Sequence, residues 1–502
     1  MPSDIFSQLN LQQREAVSYT NGSSVILAGA GSGKTRVLVY KVLYLIKEKK
    51  VDPYSVLMIT FTNKAAGEMK ERILRILNPG SRLGFAGTFH SFCAQILRRN
   101  GEAIGLTSRF NIYDENDQLD LIKQILKKME SKKFTPSYFL NRISAAKNQL
   151  ISEKKYLELF SDYNASLVAE VYSLYQKGLE KNKAVDFDDL LVKTVDLFIK
   201  NPVVLTKYQE RYRYILVDEF QDTNYAQNEL AIILAGKSRN LTVCGDDDQS
   251  IYRFRGAAVS NIVQFRKNFK RSKVVVLTKN YRSTQEILDR AYGLIQNNNP
   301  DRLEAVEKID KRLTSQVAKD GEEITFIHAD RVENEADLVA KKIEEVKTQG
   351  HYDWKDFAIL VRANAHSEPF GRALSRHGIP SQFLGPGRLF RQPEIVDLIS
   401  YLKVIYNFED SVSFYRLLSL EYFDVSSRDL AAIGNYAKRY NLSLFEACEK
   451  IDDIFVGKET KKKVKKLLEI ILKHLKLARR ETAGQLLYYF LQGRFPSLFL
   501  GC

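Results

Sequence analysis

The sequence predicts an α/β protein: parallel sheets flanked by helices, in two lobes, each interrupted by a helical piece. Three observations carry this. Short apolar runs alternate with helix-period segments at the start of the chain and again after residue 273. The first of those runs enters a glycine-rich loop that opens a helix. The strand signal vanishes over 108–200 and again from about 390 to the end. Strand–helix alternation signals a parallel sheet because parallel neighbours need a crossover connection, usually a helix.

The elements follow in order. SSVILA (23–28) is a buried-type strand, and a helix pattern starts at about Lys34. VLMITF (56–61) is the second strand. NKAAGEMKERILRIL follows it as a helix with Ala65, Met69, Ile73 and Ile76 on one face. FAGTF (85–89) and HSFCAQILRR repeat the unit. Long Lys-, Leu- and Tyr-rich helical patterns then fill 108–200. Strands resume at YRYILVD (212–218) and NLTVCGD (240–246). A further α/β block is expected from KVVVLTKN (273–280), EEITFIH (322–328) and DFAILVR (356–362). Near the end, KETKKKVKKLLEIILKHLKLARR (458–480) sets Leu467, Ile471 and Leu475 near one helix face with lysines around them. A solvated outer face explains that pattern, and a DNA-contacting helix is the alternative. The predicted organisation is 1–107 and 201–272 as the first lobe, 108–200 as its insertion, 273–388 as the second lobe and 389–502 as a second insertion.

A chain of 502 residues exceeds one ordinary domain, and about three or four are expected. Lys and Arg number 76 against 61 Asp and Glu, a net charge of +15. That excess favours a polyanionic partner, nucleic acid before an anionic membrane surface. Cys93, Cys244, Cys448 and Cys502 are far apart and form no CxxC pair, which argues against a disulfide framework or a structural zinc site. His90 and Cys93 share a helix face but lack a second pair of ligands, so packing explains them. The N-terminal MPSDIFSQLNLQQREAV has no apolar signal core, and no run approaches about 18 apolar residues. A cytoplasmic, reducing compartment and no membrane partner are expected.

The chemistry begins at AGAGSGKT (28–35). Ala28, Gly29, Ala30, Gly31, Ser32 and Gly33 form a loop whose backbone N–H groups can turn inward around phosphate oxygens. Lys34 would reach the β- and γ-phosphates, and Thr35 would ligate Mg²⁺. The strict GxxxxGKT pattern fails only at its first place, where Ala28 stands. YILVDEFQD (214–222) supplies the partner. An apolar strand delivers Asp218 and Glu219 at its carboxyl end, where open α/β sheets bind ligands. Asp218 can hold Mg²⁺, and Glu219 can orient and deprotonate an attacking water. The expected cofactors are ATP and Mg²⁺.

Seven blocks now stand in a fixed order: AGAGSGKT, ITFTNKAAGEM, GTFHSF, DFDDLL, VDEFQDTN, GDDDQSIYRFRGA and KNYRST. In this order they resemble the UvrD/PcrA/Rep-type superfamily 1 DNA helicases, clearly over about 9–410. The resemblance implies two RecA-like P-loop lobes with helical insertions, closing on ATP between them. It implies that Gln13 reads adenine, that Arg36 lies beside the nucleotide and that Tyr281 stacks on its base. It implies that Gln249 senses the γ-phosphate and that Arg282, donated by the second lobe, acts on the same phosphate. The stretch GDDDQ (245–249) would end a strand at the nucleotide, while YRFRG (252–256) would leave it toward single-stranded DNA, carrying Tyr252, Phe254 and Arg255 as contacts. Family members often have Gly-Trp at Arg253-Phe254, and Glu and Gln at Thr278 and Lys279.

Further DNA contacts are implied at Phe61, Thr62 and Asn63, at Thr88, Phe89 and His90, at Phe187, and at Arg362 and Asn364. Phe89 and Phe187 could equally be core aromatics. The mixture fits sequence-tolerant binding, with aromatic faces for bases and Arg, Thr and Asn for backbone. The partners implied are single-stranded DNA and duplex junctions, and the activity a 3′-to-5′ ATP-dependent translocase and helicase of repair or replication restart. The motor of a helicase–nuclease, or a DNA-binding protein without turnover, are the alternatives. The family's later motifs, a Thr-x-His-x-x-Lys-Gly-like run and a Thr-Arg-Ala-like helix, are not found before Cys502. The second lobe is therefore expected to be incomplete and the chain truncated, binding ATP and DNA but hydrolysing slowly and not unwinding.

Overall fold

The computed structural model describes residues 5–77, 82–130, 134–236, 238–251, 261–317, 321–350, 352–384, 392–420, 423 and 425–492. The chain divides into two compact units, one running to Glu323 and the other starting at Ile324.

The first unit is organised by its strands. These are β1 (Ser24–Ala28), β2 (Val56–Thr60), β3 (Phe85–Thr88), β4 (Asn111–Tyr113), β5 (Ala184–Asp186), β6 (Tyr214–Val217), β7 (Leu241–Gly245), β8 (Lys273–Leu277), β9 (Lys279–Asn280) and β10 (Thr314–Ser315). Six of them form one sheet in the order β3-β2-β6-β7-β1-β8, with every neighbouring pair parallel. Every residue of β1, β2 and β7 is buried, as required of strands covered by helices on both faces. The pleat sorts them. Val25, Leu27, Leu57, Ile59, Ile215 and Val217 face a core closed by helices Phe89–Asn100, Phe187–Lys200 and Tyr225–Ala235. Ile26, Ala28, Val56, Met58 and Leu216 face the opposite core, closed by helices Lys34–Lys47 and Asn63–Ile76. Each Val, Leu, Ile or Met side chain among them contributes about 1.5–3 kcal/mol by leaving water.

Two findings correct the sequence expectation here. The strand at 273–277 was expected to open the second lobe. Instead it is β8, the sixth strand of the first sheet, with Ala28 opposite Leu277. The stretch 108–200 was expected to be wholly helical, yet β4 and β5 pair in parallel, Tyr113 opposite Asp186, and bracket the insertion. Inside it, helices Glu115–Lys128, Pro136–Asn148 and Ala165–Lys181 share their own core around Ile122, Phe139, Ile143, Val168 and Tyr175.

In the second unit, helix Val332–Gln349 packs on Ser367–Arg376 through Ala336, Ala340, Ala373 and Leu374. A larger core gathers the helices of 393–492 around Tyr401, Phe414, Ile433, Leu467 and Ile471. The lysine-rich helix Lys458–Leu477 buries Val464, Leu467, Leu468 and Ile471, so its apolar stripe serves packing. The strands expected at 322–328 and 356–362 are not formed among the described residues. Ile324, Phe326 and Leu360 are exposed there. Period-2 apolarity makes a segment competent for a sheet, but a strand exists only where a neighbour accepts its hydrogen bonds.

Candidate nucleotide and nucleic-acid site

Register places the candidates. Thr60 lies opposite Thr88, Ile59 opposite Val217, Val217 opposite Val243, Leu27 opposite Gly245 and Ala28 opposite Leu277. Six strands therefore end at one edge of the sheet. Across it, in order, stand Phe89 and His90, then Phe61–Asn63, then Asp218 and Glu219, then Asp246–Gln249, then the 29–35 loop, then Lys279–Arg282.

The phosphate loop is a cradle by conformation. Gly31 and Gly33 have φ of +78° and +93°, the left-handed region that side chains other than glycine disfavour. A Cβ on Gly31 would also lie 2.7 Å from the Arg282 Cβ, and one on Gly33 would lie 2.8 Å from Gln13 Nε2. Ser32 Oγ ties the turn by donating to the Gly29 carbonyl at 2.7 Å. Gly33 then caps the fourteen-residue helix Lys34–Lys47, whose first-turn N–H groups favour an anion.

Lys34 Nζ donates to Glu219 Oε2 at 2.7 Å and to Gln249 Oε1 at 3.3 Å. Burial alone would lower its pKa, but the Glu219 carboxylate outweighs burial and holds it above the ordinary lysine value. Asp218 is buried. Burial first, and the neighbouring Glu219 carboxylate second, push its pKa up to about 6. Glu219 has φ +49°, a strained position for a residue with a Cβ, of the sort found at functional turns. It also accepts from Gln221 Nε2 at 2.8 Å. Thr35 follows Lys34 in the first turn of helix Lys34–Lys47. A glycine cradle, a lysine, a hydroxyl and a buried carboxylate form a donor set that fits a metal–nucleoside triphosphate.

The remaining nucleotide candidates close on the same loop. Gln13 is buried, bonds the Ser32 carbonyl at 3.1 Å and joins Asn10 in a capping box. Tyr281 is half exposed, its N–H donates to the Gly31 carbonyl at 3.0 Å, and its hydroxyl accepts from Asn10 Nδ2 at 2.8 Å. Arg36 is exposed and reaches Gln8 at 3.3 Å. Arg282 is exposed beside Gly31. It was expected from the second lobe, but it belongs to the first compact unit because β8 and β9 carry it there. Sequence reasoning missed three residues. Asn280 is buried and donates to the Ala30 carbonyl at 2.6 Å, while its Oδ1 accepts from Arg282 and Ser283 N–H at 2.8 Å each. Gln221 links Glu219 to the Asp246 N–H. Gln12 clamps Thr278 through two bonds. Gln221 and Asn280 sit inside recognised blocks and Gln12 stands next to Gln13, and an amide with no charge to announce it gave no separate signal.

The opposite half of the edge is built by caps. Thr62 and Thr88 are N-caps of helices Asn63–Ile76 and Phe89–Asn100. Phe61, Thr62 and Asn63 are exposed. Phe89 is a correction: it is buried in the core because the first turn of its helix points it under the sheet. His90 is half buried, its pKa lowered by burial, with its ring 5.9 Å from Phe187. Phe187 is 48% exposed. It follows Asp186, whose side chain caps helix Phe187–Lys200 and is held by the buried Lys147 at 2.6 Å. Arg362 and Asn364 are exposed in the second unit. Tyr252, Phe254 and Arg255 lie outside the described residues.

The acidic knot Asp246–Asp248 has its own cations. Lys311 Nζ lies 2.7, 2.5 and 2.8 Å from Asp246, Asp247 and Asp248. Arg302 binds Asp248 in a two-pronged pair at 2.8 and 2.7 Å. Asp246 in turn accepts from Gln249 Nε2 at 2.7 Å. No described helix is long and apolar enough to cross a membrane.

Comparison with known proteins meets this geometry. Residues 9–270 match the UvrD/REP helicase N-terminal domain, and residues 275–492 match the UvrD-like helicase C-terminal domain. The chain is 40% identical over 469 residues to the ATP-dependent DNA helicase PcrA of Staphylococcus aureus, covering 93% of this chain and 63% of that protein. It is 41% identical over 461 residues to the PcrA of Bacillus subtilis, covering 91% of this chain and 61% of that one. The chain thus spans somewhat under two thirds of the length of these relatives. Both family domains are matched, so the expected truncation, and the deficiency in hydrolysis and unwinding drawn from it, are not supported.

Proposed function

The chain belongs to the UvrD/REP helicase family, and from that premise and the site geometry we propose an ATP-dependent motor that moves 3′ to 5′ on single-stranded DNA and opens duplexes at junctions. DNA repair or replication restart, in the cytoplasm, is the setting we propose, as the resemblance of the sequence blocks implies. The observation that carries the reading is the contact of Lys34 with both Glu219 and Gln249, on the same sheet edge as Phe61, Thr62 and Asn63.

The residues divide the work. Gln13 and Tyr281 take the base, and Arg36 flanks it. The 29–33 loop and Lys34 take the phosphates. Thr35 and Asp218 would hold Mg²⁺, which would neutralise phosphate charge. For Lys34 to reach a phosphate it must leave Glu219. That departure frees the carboxylate to accept a proton from water, so phosphate engagement and release of the general base are one movement. Gln249 loses the same lysine and is freed to orient the water. Arg282 supplies positive charge to the transferring group. Phe61, Phe187 and the 252–255 run offer stacking faces to bases, and Thr62, Asn63, Thr88, His90, Arg362 and Asn364 offer backbone contacts.

The test is ATP hydrolysis by the full chain with and without a single-stranded oligonucleotide, beside strand separation on a duplex with a 3′ tail. DNA-stimulated hydrolysis and unwinding from the 3′ tail are expected. Hydrolysis without unwinding would limit the chain to translocation or ATP turnover, and no hydrolysis would overturn the reading.

A further inference from the structure

The segment that follows Arg302 touches both the turn carrying Gln249 and the phosphate loop. Lys311 binds all three carboxylates of Asp246–Asp248. The Leu303 N–H donates to Asp247 at 2.8 Å, and Arg302 pairs with Asp248. Two residues after Lys311, Leu313 lies over Gly29, where an added Cβ would come within 2.8 Å of its Cδ1. Arg302 and Lys311 are nearly inaccessible, with side chains 3% and 7% exposed. Burial would lower the lysine's pKa, but Asp246 and Asp247 outweigh it and hold the ammonium well above the ordinary range. The pair is therefore charged and fixed, and neither cation belongs to the blocks that carry the family resemblance.

We propose that Lys311, supported by Arg302, is a positioning residue that sets Gln249 by holding the Asp246–Asp248 turn against the phosphate loop. The path is short. Lys311 binds Asp246 Oδ1, Asp246 Oδ2 accepts from the Gln249 amide, and Gln249 Oε1 accepts from Lys34. Of the three carboxylates Arg302 reaches only Asp248, so without Lys311 the Asp246 and Asp247 carboxylates lose the cation that holds them, and repulsion among the three opens the turn. There is space for it to move: a cavity of about 310 Å³ is lined by Gly29, Gln249, Leu288, Lys311 and Leu313. The inference deepens the reading of Gln249 as the γ-phosphate sensor and rests on it.

The experiment is a double-mutant cycle on the full chain: wild type, Lys311→Met, Gln249→Ala and the two together. Each is measured for DNA-stimulated kcat and for the affinity of a fluorescent ATP analogue. Lys311→Met should lower kcat by about 10²-fold, the scale on which a misplaced group costs rate, while nucleotide affinity changes little. The double variant should match Gln249→Ala alone, because the lysine acts through the glutamine. Lys311→Arg should recover part of the rate. Losses that multiply in the double variant, or weakened nucleotide binding at unchanged kcat, would overturn the proposal. Hydrogen exchange of the 241–250 backbone gives a second arm that needs no turnover. It should rise in Lys311→Met, and unchanged exchange would also overturn the proposal. If wild type hydrolyses no ATP, the functional reading fails, while the exchange arm still decides whether Lys311 holds the turn.

Discussion

The two halves of the sheet's carboxyl edge are finished in opposite ways. Where β6, β7, β1 and β8 end, polar side chains are committed to one another: Lys34 to Glu219, Gln249 to Asp246, Asn280 to Ala30 and Lys311 to three aspartates. Where β2 and β3 end, Phe61, Thr62, Asn63 and the neighbouring Phe187 are exposed, and Thr62 and Thr88 use their hydroxyls to cap helices. On the proposed reading, the first half is a nucleotide network that must exchange partners to act. The other half is a set of surfaces that a polymer can lie on and leave. A motor needs both: a ligand-triggered rearrangement at one end, and weak, repeated contacts at the other.

The sharpest way to break this contrast is to remove the lysine at the centre of the network. Lys34→Ala should abolish ATP turnover, a loss of at least about 10²–10³-fold, as for removal of a preorganised charge-stabilising donor. Single-strand binding should survive, as a filter-binding titration would reveal. Glu219→Gln should keep ATP binding while slowing hydrolysis by about 10²–10⁴-fold, the usual contribution of a general base. Wild-type hydrolysis in Glu219→Gln would remove Glu219 from that role.

On the other half the decisive residue is a buried one. Lys147 is 1% exposed and pairs with Asp186 and Asp189. Lys147→Met should lower stability by about 3–5 kcal/mol, the cost of leaving a buried charge unpaired. A denaturant midpoint measured by circular dichroism would test this. Loosening the Asp186 cap should also disturb Phe187 before it disturbs the nucleotide. Phe187→Ala should weaken single-strand binding by about 1–3 kcal/mol, the worth of one stacked base, with nucleotide affinity retained. Equal loss of both affinities would mean that the two halves are not separable.

The smallest effect is one of pH. Burial and Glu219 raise Asp218 to about 6. Between the ordinary carboxylate range and 6 the native state binds the proton that the unfolded chain has released. Stability without nucleotide should therefore fall as pH rises through that window, and Mg²⁺-dependent nucleotide binding should strengthen over the same window. Asp218→Asn should flatten the stability profile, and an unchanged profile would assign the titration elsewhere.

Much of this contrast was legible in the sequence, and unevenly so. The phosphate loop and VDEFQD declare themselves because glycine at left-handed φ, a lysine and an acidic pair at a strand end are unusual together. Asn280 and Lys311 do not, because Ala30 and Asp246–Asp248 are far from them in sequence and only the fold brings them near. Gln221 does not, because an uncharged amide two residues from Glu219 gives no signal of its own. The strands of the first sheet were readable as apolar runs, but not their owner: KVVVL reads alike in either lobe, and β1 decides it by pairing. EEITFIH and DFAILVR show how little alternation fixes without a neighbour. Phe89 and Phe61 each follow a strand end and look alike in sequence. A helix turn buries one and the loop exposes the other.

The proposed motor requires that the two halves of one edge communicate. Its most direct test is the steady-state ATP hydrolysis rate of the full wild-type chain, titrated with a single-stranded oligonucleotide at saturating ATP. The rate should rise with DNA to a plateau, with a half-saturation point that shifts upward with salt. A rate that stays flat while the oligonucleotide demonstrably binds would contradict it.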